Sequence, residues 1–209
     1  AAADRNVISG NQSDGVQLNA AATGNRVLGN IIGPNRFGTA MLTPTTTGNT
    51  GTGVNVLGGS NTIGGTGAND GNVISGNGTG ILLSDSAAVG NVVQGNRIGT
   101  DINGTGDLGN ITDGVRIANA ARNNLIGGTA LGAGNVISGN TQDGVEISGA
   151  NTTGNVVQGN LIGTDAGGAA DVGNTGDGVK ISSSATGNTI GGGAPGARNV
   201  ISGNTSDGI

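Results

Sequence analysis

The chain is a tandem repeat, and the repeat constrains the fold more than any other feature of the sequence. The string Asn-Val-Ile-Ser-Gly-Asn begins at Asn6, Asn72, Asn135 and Asn199, at spacings of 66, 63 and 64 residues. A second unit, Asn-x-Val-x-Gly-Asn-x-Ile-Gly, lies between those copies and begins at Asn25, Asn91 and Asn155. The period is therefore half as long, about 32 residues, which predicts an array of stacked units.

Each unit contains three short strand motifs. Two of them have an aliphatic residue two positions after an asparagine, and the third reads Gly-Val/Ile-x-Ile/Leu/Val, as in 144–147. Short motifs with period-two alternation, bounded by Gly and Asn, are typical of strands and not of helices. Three strands per turn predict a roughly triangular coil whose turns stack at the strand spacing of about 4.8 Å and align Val and Ile in columns.

The composition agrees with an ordered, narrow solenoid. Of 209 residues, 47 are glycine, there is no Cys, His, Trp or Tyr, and Phe37 is the one phenylalanine, so Val, Ile, Leu and Ala must fill the interior. The eight basic residues are scattered among thirteen acidic ones, and no aromatic faces are available for bases, which argues against a nucleic-acid partner. No apolar run approaches the roughly 20 residues of a membrane helix, so membrane insertion is not expected.

The repeated segments 72–77, 91–96 and 143–147 resemble the parallel β-helix repeats of the pectate-lyase-like superfamily. They are more closely similar to the NosD-like tandem repeats of large secreted or surface proteins of bacteria. The resemblance implies an all-β, right-handed parallel β-helix with three short strands per turn, in a two-turn repeat of about 64 residues. It also implies an extracellular or cell-surface location. We expect residues 1–209 to form a single β-helix segment, open at both ends, that is part of a longer protein or a subunit of a stacking filament.

Asparagine recurs at three fixed places per turn. One column precedes the Gly-Val strand and consists of Asn11, Asn49, Asn77, Asn110, Asn140, Asn174 and Asn204. Stacked side-chain amides can hydrogen-bond from turn to turn, so we interpret these columns as structural ladders.

Aspartates form a further column beside a glycine: Asp14, Asp113, Asp143, Asp177 and Asp207. Stacked carboxylates repel unless something compensates them. Either each bonds the backbone of its own turn, as Asp before Gly commonly does, or calcium lies along the column. We favour the structural interpretation, because no second carboxylate converges with each Asp.

Two longer loops, 99–104 and 163–168, carry the remaining ligand candidates. Asp101 and Asp165 stand three residues before a glycine, a signature of a type I turn, and Asp107 and Asp171 follow each loop. These four aspartates are the candidate calcium ligands, although the turn interpretation is favoured and no other cofactor is expected. The loop at 33–48, with Pro34, Phe37 and Pro44, departs from this pattern, so no metal site is expected there.

Three charged residues, Arg116, Glu146 and Lys180, occupy the outward position of successive Gly-Val strands. Opposite charges are then neighbours on an exposed ladder, which stabilises register by a modest ~0.2–1 kcal/mol per pair. This explains the residues without a substrate.

The residue types favour a structural role over catalysis. No His or Tyr is present to transfer protons, the single lysine is Lys180, and no pair of carboxylates stands apart from the repeating columns. We therefore expect a non-enzymatic shaft, stalk or fibre, whose partners are copies of itself stacked end to end or flanking repeats, with surface polysaccharide as a further possible partner. The alternative is a carbohydrate-binding or polysaccharide-processing β-helix, of the lyase or epimerase type, whose active residues lie outside this segment.

Overall fold

The computed structural model describes residues 4–42 and 48–209, which form an all-β, right-handed parallel β-helix. Strands are numbered in chain order. The first sheet contains β1 (Val7–Ile8), β4 (Ile31–Ile32), β7 (Val73–Ile74), β10 (Arg97–Ile98), β13 (Val136–Ile137), β16 (Leu161–Ile162) and β19 (Val200–Ile201). The second contains β2 (Val16–Leu18), β5 (Thr52–Val56), β8 (Thr79–Ser84), β11 (Val115–Ala118), β14 (Val145–Ser148) and β17 (Val179–Ser182). The third contains β3 (Arg26–Val27), β6 (Thr62–Gly64), β9 (Val92–Gln94), β12 (Leu125–Gly127), β15 (Val156–Gln158) and β18 (Thr189–Ile190).

Successive strands along the chain belong to the three sheets in strict rotation. Each strand pairs in parallel with the strand three places later in the chain, as β10 pairs with β13 and β13 with β16. Three strands therefore make one turn, and each sheet is a stack of equivalent strands. This confirms the fold class predicted from the repeat.

The interior consists of aliphatic side chains that point inward from the strands. Side chains at equivalent positions of successive turns lie next to one another and form columns. In the first sheet Ile74, Ile98, Ile137 and Ile162 are neighbours in register and have no exposed surface. Each such side chain contributes roughly 1.5–3 kcal/mol through burial. A single turn could not exclude water from these residues, so the core forms only when the turns stack.

Long and short turns explain the two-turn repeat. Along the asparagines that precede the first sheet, the spacing is 24 residues from Asn72 to Asn96, 39 from Asn96 to Asn135 and 25 from Asn135 to Asn160. Extra residues enter as loops after the first-sheet strands β4, β10 and β16, and as loops before β7, β13 and β19. Both sets of loops flank the outer face of the first sheet, one at each end of its strands.

The loop at 33–48 follows β4, and its residues 43–47, including Pro44, lie outside the described residues. Although its sequence departs from the pattern of the later loops, its first part occupies the same place. The N–H of Ile102 donates to the carbonyl oxygen of Gly38 at 2.8 Å, and the N–H of Ala166 donates to that of Gly104 at 2.8 Å. The three loops thus stack on one another along the helix axis.

Glycine at the corners permits this close stacking. Gly99 has φ of +87°, in the left-handed region, and a Cβ there would overlap the carbonyl oxygen of Ser138 in the next turn. Only glycine satisfies both constraints.

Candidate functional site

The asparagines form three continuous ladders, each running from turn to turn. The first sheet is preceded by Asn6, Asn30, Asn72, Asn96, Asn135, Asn160 and Asn199. The third sheet is preceded by Asn25, Asn61, Asn91, Asn124, Asn155 and Asn188. The predicted column before the second sheet is complete, from Asn11 through Asn49, Asn77, Asn110, Asn140 and Asn174 to Asn204. The asparagine ladder is confirmed.

Inside a ladder, an amide with a neighbour on both sides uses both its donor and its acceptor. The Oδ1 atom of Asn140 accepts from the N–H of Asn110 at 3.3 Å and from its Nδ2 at 2.9 Å. The Nδ2 atom of Asn140 donates to Oδ1 of Asn174 at 2.8 Å, and all three side chains are buried. Because the amides inside the ladders bond one another in this way, we interpret the ladders as structural elements.

The aspartate column beside the second sheet is also linked from turn to turn. Oδ1 of Asp143 accepts a hydrogen bond from the backbone N–H of Asp177 at 2.8 Å, and Oδ1 of Asp177 accepts from the N–H of Asp207 at 3.0 Å. At the other end of the rod, Oδ1 of Asp14 accepts from the N–H of Thr52 at 2.7 Å. The expectation that each carboxylate bonds its own turn is therefore wrong: parallel stacking brings the amide of the next turn within reach instead.

Asp113 has the most unusual environment in this column. Its side chain is buried, Oδ1 accepts from the N–H of Asp143 at 3.2 Å, and Oδ2 has no hydrogen-bond partner. The pKa of Asp113 is raised to about 6, chiefly by burial and also by the negative charges of Glu146 and Asp143. The hydrogen bond from the N–H of Asp143 and the charge of Arg116 oppose this rise. The carboxyl group has almost no contact with solvent, so it can bind a proton but cannot contact a substrate.

The outward charges only partly follow the predicted ladder. Arg116, Glu146 and Lys180 are neighbours in register, and Arg116 Nε lies 3.0 Å from Glu146 Oε2. Lys180 instead reaches the aspartate column, with Nζ 3.4 Å from Oδ2 of Asp143 and 3.5 Å from Oδ2 of Asp177. The charge of Asp143, its hydrogen bond and then the charge of Asp177 raise the pKa of Lys180. This lysine offsets the repulsion between the stacked carboxylates.

The loop aspartates are engaged by the backbone of their own loops. The N–H of Gly104 donates to the carbonyl of Asp101 at 2.9 Å, and that of Gly168 donates to the carbonyl of Asp165 at 2.9 Å, which closes the predicted turns. Oδ1 of Asp101 accepts from the N–H groups of Thr105 and Gly106 at 2.9 and 3.1 Å.

The same arrangement recurs one repeat later and at the end of each loop. Oδ1 of Asp165 accepts from the N–H groups of Ala169 and Ala170 at 2.9 and 3.0 Å. Asp107 and Asp171 each accept from the N–H two residues later at 2.9 Å.

These hydrogen bonds favour the ionised carboxylates. Burial opposes ionisation of Asp101, but the N–H groups of Thr105 and Gly106 outweigh it and lower the pKa. Hydrogen bonds from Ala169 and Ala170 lower the pKa of Asp165. Across residues 4–42 and 48–209, no three acidic, His or Cys side chains are grouped so as to hold a metal ion. Calcium binding by these loops stays a prediction.

Serine in the Asn-Val-Ile-Ser-Gly-Asn string has a role that the sequence reasoning missed. Ser138 Oγ donates to the carbonyl of Thr164 at 2.7 Å and accepts from the N–H of Gly163 at 3.0 Å. Ser75 makes the same two contacts with Thr100 and Gly99. The serine thus anchors the start of the loop in the following turn. The sequence did contain a signal for this role. Ser follows the first-sheet strands that have no long loop after them, and Gly follows the strands that do.

A concave surface lies over the outer face of the first sheet. It is a groove of about 460 Å³. Leu131, in the loop before β13, lines one side, and Ala166, in the loop after β16, lines the other. The floor is formed by Arg97, Val136 and Leu161, which are neighbours in register and point outward because Ile98, Ile137 and Ile162 point inward.

Comparisons of the chain with protein-family models, with curated proteins and with solved structures found no match. The assignment of the fold therefore rests on the strand topology, the three sheets and the asparagine ladders. Within residues 4–42 and 48–209, the chain has no helix that is long and apolar enough to cross a membrane.

Proposed function

We propose that this chain is the shaft of an extracellular or cell-surface protein, a β-solenoid whose number of turns sets its length. We also propose that the chain is related to the NosD-like repeats of the pectate-lyase-like superfamily, because it contains similar repeated motifs. The proposal also includes contact along the axis with further turns, either of flanking repeats or of a second copy of the chain.

One observation supports this function most strongly: the asparagine ladders and the three sheets continue through every described turn without interruption. A binding or catalytic site normally replaces repeating residues with particular ones, because it needs several different groups at one place. In this chain most of the buried polar side chains form hydrogen bonds between successive turns, as Asn140 and Asp143 do. Such contacts resist bending and separation of turns, which is what a shaft requires.

A non-enzymatic role is part of the proposal. The acid with a raised pKa, Asp113, is buried, and the partly buried Glu146 is paired with Arg116. The sequence has no His or Cys that could act as a base or nucleophile. The residues at hand support neither general acid–base nor covalent catalysis.

Changing the number of repeats tests the shaft directly. A variant with a second copy of residues 72–134 inserted after residue 134 gains two turns and should be longer by about 10 Å in small-angle X-ray scattering, with an unchanged cross-section. A variant that instead becomes wider in cross-section, or that loses its β-sheet circular dichroism, would contradict the proposal.

The surface location is tested with antibodies raised against the purified chain. They should label intact producing cells as strongly as permeabilised ones, and labelling only after permeabilisation would reject the surface location.

Self-stacking and calcium are tested by electron microscopy of the purified chain, in calcium and in chelator. Filaments in both conditions would support stacking without metal. Filaments that disperse in chelator would support calcium at Asp101, Asp107, Asp165 and Asp171. Separate short rods in both conditions would reject self-stacking and leave flanking repeats as the axial partner.

A further inference from the structure

Arg97 is the exception on the outer face of the first sheet. The equivalent outward positions on the other strands are occupied by aliphatic residues: Val7, Ile31, Val73, Val136, Leu161 and Val200. The aliphatic stem of an arginine can cover such a surface, but its guanidinium group then needs an acceptor. The position therefore adds a cation to an otherwise apolar row.

The guanidinium group of Arg97 has no ion-pair partner in the part of the chain that the structure describes. Its Nε atom is shielded from solvent and has no hydrogen-bond partner, and the ion pairs found within residues 4–42 and 48–209 do not include it. The charge of Arg97 acts on another cation, Arg5. Burial and then the positive charge of Arg97 lower the pKa of Arg5. Arg5 itself donates to the carbonyl of Gly71 at 2.8 Å. The positive charges of these two arginines thus act on each other.

The groove beside Arg97 has apolar surface that could contact the apolar part of a ligand. Val136 and Leu161 continue the floor, and Leu131, which is 99% exposed, projects from the loop at its side. The three residues provide no charged group, and the polar side chains nearby, Asn96 and Asn135, are consumed by their ladder. A ligand held here would gain hydrogen bonds at one end only, from the guanidinium group.

We propose that this groove binds an aliphatic monocarboxylate, with the carboxylate on the guanidinium group of Arg97 and the chain over Val136, Leu161 and Leu131. Guanidinium is suited to this head group because its N–H donors match the two carboxylate oxygens. The site goes beyond the shaft function, since a shaft needs no charged residue at this position.

Isothermal titration calorimetry of the full chain with hexanoate tests the proposal. We expect saturable binding of one hexanoate per chain. Acetate, which lacks the apolar body, and hexanamide, which lacks the charge, should each bind at least about tenfold more weakly, because a charge-assisted hydrogen bond and a buried alkyl chain are each worth that much. Hexanamide binding as tightly as hexanoate would show a merely apolar crevice and overturn the proposal.

Variants locate the site. Arg97→Met keeps the apolar stem and removes the charge, and we expect at least a tenfold loss of hexanoate affinity. Arg97→Lys should retain part of the affinity, and Leu131→Ser should lose several-fold. The matched control is Arg116→Met, which changes the same residue type on the outer face of the second sheet and should bind as the parent chain does. Thermal melting verifies that each variant is folded. Equal hexanoate affinity in Arg97→Met and the parent chain would overturn the proposal, as would the lack of saturable binding up to about 10 mM hexanoate.

Discussion

The carboxylate of Asp113 accepts a hydrogen bond from the backbone N–H of Asp143, 30 residues later and one turn along the rod, while its other oxygen has no partner. This hydrogen bond links two successive turns, but it requires a carboxyl group to be buried close to other acids, which disfavours its ionised form. Asp143, Glu146 and Arg116 are the charged groups that act on it.

Protonation of Asp113 should stabilise the fold. Its pKa is about 6 in the folded chain against 3.8 as the ordinary value, so the folded chain binds the proton more tightly. The stabilisation is complete below 3.8 and is lost as the pH rises through about 6. Because the Asp113→Asn side chain stays neutral, the parent chain should lose ~3 kcal/mol relative to the variant between pH 3 and pH 8. Urea unfolding of both proteins across that range measures this difference, and parallel curves would contradict it.

Replacing Glu146 with Gln should lower the pKa of Asp113. The negative charge of Glu146 is one of the causes that raise this pKa, and Gln removes the charge with little change of shape. Carbon-detected NMR titration of the Asp113 carboxyl group would measure the shift. The matched control is Asp101→Asn, which removes an acid from the first-sheet loop and should leave the Asp113 titration where it is.

Breaking an asparagine ladder in mid-rod should destabilise the fold strongly. Asn140→Ala removes the acceptor of the backbone N–H and the Nδ2 of Asn110, and one of the two donors to Oδ1 of Asn174. The backbone N–H of Asn110 then lacks an acceptor in a buried position. We expect a loss of ~2–4 kcal/mol in the free energy of unfolding, measured in urea. Asn103→Ala changes the same residue type in an exposed loop and should stay within about 0.5 kcal/mol. Similar losses in the two variants would show that the ladder contributes little.

The aliphatic columns should dominate stability. Ile137 is fully buried between Ile98 and Ile162, so Ile137→Ala should cost ~2–5 kcal/mol through lost burial and the cavity left behind. Leu131→Ala removes a large side chain that is almost entirely exposed and should leave the melting temperature nearly unchanged. If both variants melted together with the parent chain, the inward assignment of the isoleucine column would be wrong.

The sequence alone determined the contacts between equivalent residues of successive turns. Asn110, Asn140 and Asn174 occupy the same place in the repeat, and once the turns stack, such residues must be neighbours. The same reasoning correctly predicted the isoleucine columns and the pairing of Arg116 with Glu146. In a solenoid, periodicity along the chain translates directly into adjacency in space.

Only the tertiary structure decided contacts between residues at different places in the repeat. Lys180 reaches Asp143 and Asp177 instead of Glu146, because a long side chain can lean sideways to the nearest acids. The groove over Arg97 depends on loops before β13 and after β16 that are far apart in sequence and come together only across the stacked turns. Likewise, Oδ2 of Asp113 lacks a hydrogen-bond partner because of the packing around this one carboxyl group. A periodic sequence pattern carries no information about such a local difference between turns.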